Sequence, residues 1–402
     1  MTTESENKRL IFLDHLKIFF VVLVILTHVM VTYGGRGSWY YYATLNELFP
    51  VDILSTIALY MIAGIAAIFL PSIMGLFFLM GGYFTPKSYE RKGAASFWKE
   101  RLLRLGIPVL LYVLLINPAF YYLLAVQGIE PWSSTLVSGS FLEYYLGNFQ
   151  TMPQIVRFIT TFAITWFLVV LLILTAVYTL WKQIMKSDSI RQRIPEELPI
   201  PKFIYLLLLA IGLGFLSFVV RIPFPIEQWP LGLPIGYMIQ YLMMFSVGVV
   251  AVRYGWINQM RRHHVKVWAA TIFAVVMLYF TYFFVFVGVD ADYTIFFGGL
   301  NQEALVFALV DNIICMGMVF VLIKLFYAKF NTRGKVQKIL ADSSYLVYLI
   351  HPFIVVPISL GLAPVFLSPL IKLAIVVPVS IILCYLIGHL LMQLFRKASR
   401  GT

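Results

Sequence analysis

Four polar side chains stand in the first long apolar run, RLIFLDHLKIFFVVLVILTHVMVTYGG: Asp14, His15, Lys17 and His28. Charge inside an apolar span is costly, so such residues usually face a bundle interior and have a partner. On a helix with about 100° and 1.5 Å per residue, Lys17 and His28 share one face, roughly 16 Å apart along the axis. Asp14 lies one turn before Lys17 on that face, and His15 points elsewhere. The His28 imidazole is titratable, which suits a general base or a satisfied core histidine. Asp14 and Lys17 suit chemistry or an interfacial ion pair, with Lys17 snorkelling toward headgroups.

Further along, Arg101 and Arg104 form an Arg-x-x-Arg pair, one turn apart if helical. Guanidinium groups hold phosphate well, and basic residues at membrane ends also serve topology. His351 precedes Pro352 inside an apolar run and could be a second site histidine or the partner of a helix kink. Glu303 and Asp311 fall in another run, as intramembrane acids without a motif around them. His263 and His264 sit in a basic stretch expected to be a solvated loop, and no spacing suggests a metal site. Cys315 and Cys384 lie in apolar runs and read as buried free thiols.

The elements that must position these residues are membrane helices. Hydrophobic residues make up 61% of 402 and charged residues 12%, about half the charge a soluble domain carries. Apolar runs long enough to span occur at about 10–33, 53–85, 104–126, 159–181, 203–221, 232–252, 267–289, 303–327, 343–363 and 370–395. The fold expected is all-α: a polytopic membrane bundle of about ten helices. One transmembrane domain, 10–395, is flanked by tails 1–9 and 396–402. Pro71 interrupts the second run, which could kink, tilt or be preceded by an interfacial helix. The polar N-terminal stretch meets the first run without a small-residue cleavage site, so an uncleaved first helix is expected.

Alternate loops and helix ends carry 25 of the 30 Lys and Arg residues; the others hold Arg36, Arg157, Arg221 and Lys372. That asymmetry places both termini in the cytoplasm. The net charge of +12 is therefore a topology signal split among short loops, and nucleic acid is not an expected partner. The opposite loops are aromatic, with GGRGSWYYYATLNELFP at 34–50 and Trp132, Glu143, Tyr144 and Tyr145 beyond. They read as an interfacial belt or as an outward platform for carbohydrate or lipid. No internal repeat is evident.

The first helix resembles that of the acyltransferase type 3 family of integral-membrane acyltransferases. The family's leucine-aspartate pair, basic residue and histidine correspond to Leu13, Asp14, Lys17 and His28. Its Arg-x-x-Arg motif is similar to Arg101-Leu-Leu-Arg104, followed by Pro108. Its phenylalanine-rich segment resembles Phe77-Phe78-Leu79-Met80-Gly81-Gly82-Tyr83, with Gly81 where the family has serine. Trp166-Phe167-Leu168 and the stretch from Ser344 to His351-Pro352 resemble two later family segments.

The resemblance covers residues 10 to about 390. It implies a membrane-embedded O-acyltransferase in a bacterial plasma membrane. An acyl group, commonly acetyl, would move from cytoplasmic acyl-CoA to a hydroxyl of a carbohydrate, glycolipid or similar acceptor. His28 would be the general base, with Asp14 and Lys17 beside it. Lys17, Arg101 and Arg104 would hold the donor's phosphates, and Trp166 and His351 would contact the acceptor. No metal is implied. The alternative is a secondary transporter of a small solute, since ten spans with buried charge suit that as well. A lipid-binding scaffold would leave Lys17 and His28 without a purpose.

Overall fold

The computed structural model describes residues 2–34, 39–43, 53–129, 139–185, 195–288, 291–330, 332 and 334–398. Each of the ten apolar runs becomes helical, and the described residues contain no strand. Helix α1 (Thr2–Gly34) begins within the stretch expected as a tail, and α2 (Ile53–Lys92) continues through position 71. Helical segment α3 (Ala94–Val126) is followed by two short helices, α4 (Phe141–Gly147) and α5 (Met152–Ile159). Next come α6 (Ala163–Ile184), α7 (Phe203–Arg221), α8 (Met238–Tyr254), α9 (Arg262–Tyr282) and α10 (Gln302–Lys329). The last apolar runs form α11 (Lys335–Ile350), α12 (Pro352–Gly361) and α13 (Pro369–Ala398).

Among the described residues, eight helices are long and apolar enough to cross a membrane. The pair α11 and α12, bent by 63°, makes a ninth. This is a multi-pass membrane protein. Two expected loops turn out to be helical. Glu143 caps α4 through a capping box with Ser140, so its carboxylate has a local structural job. His263 and His264 lie in the first turn of α9; His263 is exposed, and the His264 ring accepts the Arg261 backbone N–H. Trp132 lies outside the described residues.

Arg101 and Arg104 stand within α3 rather than in a loop. Two wide turns interrupt this segment: Ile107 N–H bonds to Leu102 O and Asn117 N–H to Tyr112 O, each five residues back. Proline explains both. In a regular helix the Pro108 and Pro118 rings would press on the carbonyls of Arg104 and Leu114. Those carbonyls lie inside the wide turns, which absorb the clash without breaking the segment.

The described residues fall into two compact units. The first holds 1–67, 121–138 and 325–402; there α1, α11 and α13 pack on one another, with α12 against α1 and α13. The second holds 68–120 and 139–324. In it, α2 and α8 meet backbone to backbone. A Cβ on Gly82 would run into the Phe245 carbonyl, and one on Gly248 into that of Leu79. In lipid, where tails are as apolar as side chains, such close approach is what holds helices together.

Candidate active site

The buried face of α1 follows two series of four-residue steps: Phe12, Leu16 and Phe20, then Val21, Ile25, Val29 and Tyr33. Four residues advance about 400°, so the buried stripe turns around the helix as it climbs. Lys17 and His28 therefore share a face but not an environment. At the level of Lys17 the stripe is elsewhere; the Lys17 and Asp14 side chains are 40% and 26% exposed and form an ion pair at 2.7 Å. At the level of His28 the stripe has come round, and the imidazole is held among aromatic rings.

His28 Nδ1 lies 3.0 Å from Nε2 of His351, with ring centroids 4.8 Å apart. Trp39 stacks on the His28 ring at 4.0 Å and 14°, and its plane is also parallel to that of His351. His351 is fully buried, Trp39 is 5% exposed, and His28 is half-buried. The Trp39 indole N–H donates to Thr32 Oγ1, whose own O–H donates to the His28 carbonyl. The Trp39 backbone N–H donates to Tyr42 Oη, and the Ala43 N–H to the Thr32 carbonyl. Burial holds the Tyr42 phenol above its ordinary range, so it keeps its proton. These bonds clamp the indole over the imidazole.

His351 occupies the break between α11 and α12, where the sequence left two roles open. It fills both. Pro352 has no N–H, so the Tyr348 carbonyl four residues back lacks its helical donor. The His351 ring takes that place, with Nδ1 2.6 Å from Tyr348 O, while its Nε2 reaches His28.

The other sequence candidates lie in the second unit. Arg101 is half-buried, with its guanidinium 5.2 Å over the Phe97 ring and Nη2 donating to Thr85 Oγ1 at 3.2 Å. The Thr85 hydroxyl in turn donates to the Gly81 carbonyl. Arg104 is exposed. At Gly81, a Cβ would stand 2.6 Å from the end of the Leu171 side chain. Trp166 is half-buried in an aromatic group with Trp229, Tyr241 and Phe78.

Sequence reasoning missed two features. In the sequence Trp39 is one aromatic among several in the stretch 34–50. Arg221, counted among the charges of loops and helix ends, is fully buried at the end of α7 and bonds Asp311 at 2.7 Å. Its Nε–H donates to the Gly236 carbonyl, and the cation lies over the Tyr237 ring. Asn312 donates to the second Asp311 oxygen at 2.7 Å. Lys372 is likewise buried, donating to Ala363 O. One signal was present: an arginine and an aspartate at membrane depth each need a partner. Cys315 and Cys384 are buried free thiols. Among the described residues, no group of three or more His, Cys, Asp and Glu could hold a metal.

A family model described as an acyltransferase domain matches residues 10–389. No curated protein and no solved structure matches the chain.

Proposed function

Since the chain belongs to the acyltransferase 3 family and is an acyl-transferring membrane enzyme, we propose that it acts as an O-acyltransferase with His28 as its general base. The donor in this reading is acyl-CoA, with acetyl as the acyl group, and the acceptor is a hydroxyl of a carbohydrate or glycolipid. A hydroxyl attacks a thioester slowly unless its proton is removed as the bond forms. The His28 imidazole takes that proton while the acceptor oxygen bonds to the acyl carbon. The carbon–sulfur bond then breaks, and the imidazolium returns the proton to the departing thiolate. Acylated acceptor and free CoA leave, and the enzyme regains its starting state.

One observation supports the assignment above the others: His28 is the half-buried member of a hydrogen-bonded pair of imidazoles. Arg101 and Arg104 suit the phosphates of CoA, because guanidinium forks match phosphate oxygens. Lys17, half-exposed beside Asp14, is likewise a cation that suits phosphate. Trp166 offers an aromatic face of the kind that stacks on a sugar ring. The orientation that goes with this reading puts both termini and the arginine pair on the cytoplasmic side of the cell membrane.

The test uses purified protein in lipid nanodiscs, radiolabelled acetyl-CoA and a panel of mono- and oligosaccharides. Label appearing on a sugar, in proportion to enzyme and sugar, supports the reading. Solute uptake into proteoliposomes without acyl-CoA, and no labelled sugar or lipid, would overturn it in favour of transport.

A further inference from the structure

The hydrogen bonds around His351 determine where the protons on both imidazoles sit. A carbonyl oxygen can only accept, so the short contact from His351 Nδ1 to Tyr348 O puts a proton on that Nδ1. A neutral imidazole carries one N–H, so His351 Nε2 is then an acceptor. Its partner at 3.0 Å is His28 Nδ1, which must donate. His28 is left with its lone pair on Nε2. The order of dependence begins at Pro352, which offers the Tyr348 carbonyl no N–H: that carbonyl fixes His351, and His351 acts on His28 beside the Val24 carbonyl, which also accepts from the His28 ring.

We infer that His351 is a positioning residue that holds His28 in the Nδ1–H tautomer, with Nε2 as the base. This rests on His28 being the base, and it moves His351 from an acceptor contact to a partner of His28. The pair also supports the charged stage of the reaction. When His28 Nε2 takes the acceptor proton, its Nδ1–H still points at the His351 lone pair, which stabilises the imidazolium. The fully buried His351 ring and the Trp39 indole over His28 keep water from competing for that bond.

Nitrogen-15 NMR of histidine-labelled protein in nanodiscs reads the tautomer directly, without donor or acceptor. His28 and His351 signals are assigned by their loss in His28→Ala and His351→Ala. The expected result above the imidazole titration is a protonated Nδ1 and an unprotonated Nε2 on both rings. In His351→Ala the His28 signal moves to a mixture of tautomers. Acetyl transfer is measured alongside: His351→Ala lowers kcat on the order of 100-fold, with the KM for acetyl-CoA within about two-fold. His351→Gln, whose amide oxygen can accept from His28 Nδ1, recovers part of that loss. A protonated Nε2 on His28 in the wild type overturns the inference. So does His351→Ala that melts like the wild type and keeps full kcat. Transfer that survives His28→Ala instead sinks the base assignment, whatever the tautomer, so the two failures are distinct.

Discussion

Two buried polar groups stand among apolar helices here, and they differ in what they leave open. In the second unit, Arg221 and Asp311 are both fully enclosed and opposite in charge. In the first unit, His28 and His351 can both be neutral, and one of them, His28, is only half-buried. A sealed ion pair ties two helices together, but its charges are already committed to each other. A pair of neutral imidazoles has no charge committed to its partner, so it can take up or give away a proton. In the proposed reading, depth alone does not mark the site; a buried pair that can exchange a proton does.

Breaking the sealed pair should have the largest effect. Asp311→Ala leaves a buried guanidinium without its counter-charge, a loss of about 3–5 kcal/mol. Thermal unfolding in detergent should show a collapsed melting temperature and poor recovery. The double variant Arg221→Met with Asp311→Leu should regain most of that stability, since an apolar pair fills the same space without charge. If the double variant is active, the pair is a structural fastening only.

His28→Ala should do the reverse. Acyl transfer should fall by about 10²- to 10⁴-fold, the usual worth of a general base. The melting temperature should stay close to that of the wild type, because the loss of the ring strands no charge. Smaller again is Arg101→Ala, which removes a cation held by a hydroxyl and a ring rather than by a carboxylate. The KM for acetyl-CoA should rise about 10- to 100-fold, as expected when a charge-assisted contact is lost. Smallest is Asp14→Asn: the Asp14–Lys17 pair is partly exposed, so unfolding should shift by less than about 1 kcal/mol.

How much of this is legible in the chain depends on sequence distance. Helices announce themselves through runs of local apolar residues, and all ten runs became helical. The Asp14–Lys17 pair follows from three-residue spacing, and the Ser140–Glu143 capping box is as local, although the aromatic stretch around it suggests a loop. The wide turns in α3 lie just ahead of Pro108 and Pro118, where the ring chemistry requires relief. Nothing local, however, joins His28 to a histidine 323 positions away. The same holds for Arg221 and Asp311, 90 positions apart, whose pairing depends on which helices become neighbours. Trp39 was hidden differently: an aromatic at a membrane end is ordinarily a belt residue, and only the hydrogen bonds to Thr32 and Tyr42 turn it over His28. The family resemblance named His28 and His351 without supplying their contact.

The most direct test of the central claim is the turnover number of His28→Ala for labelled acetyl transfer in nanodiscs, at saturating acetyl-CoA, beside its melting temperature. The account predicts transfer reduced at least about 100-fold in a protein that melts like the wild type. A variant equally stable that transfers acetyl at the wild-type rate would contradict it.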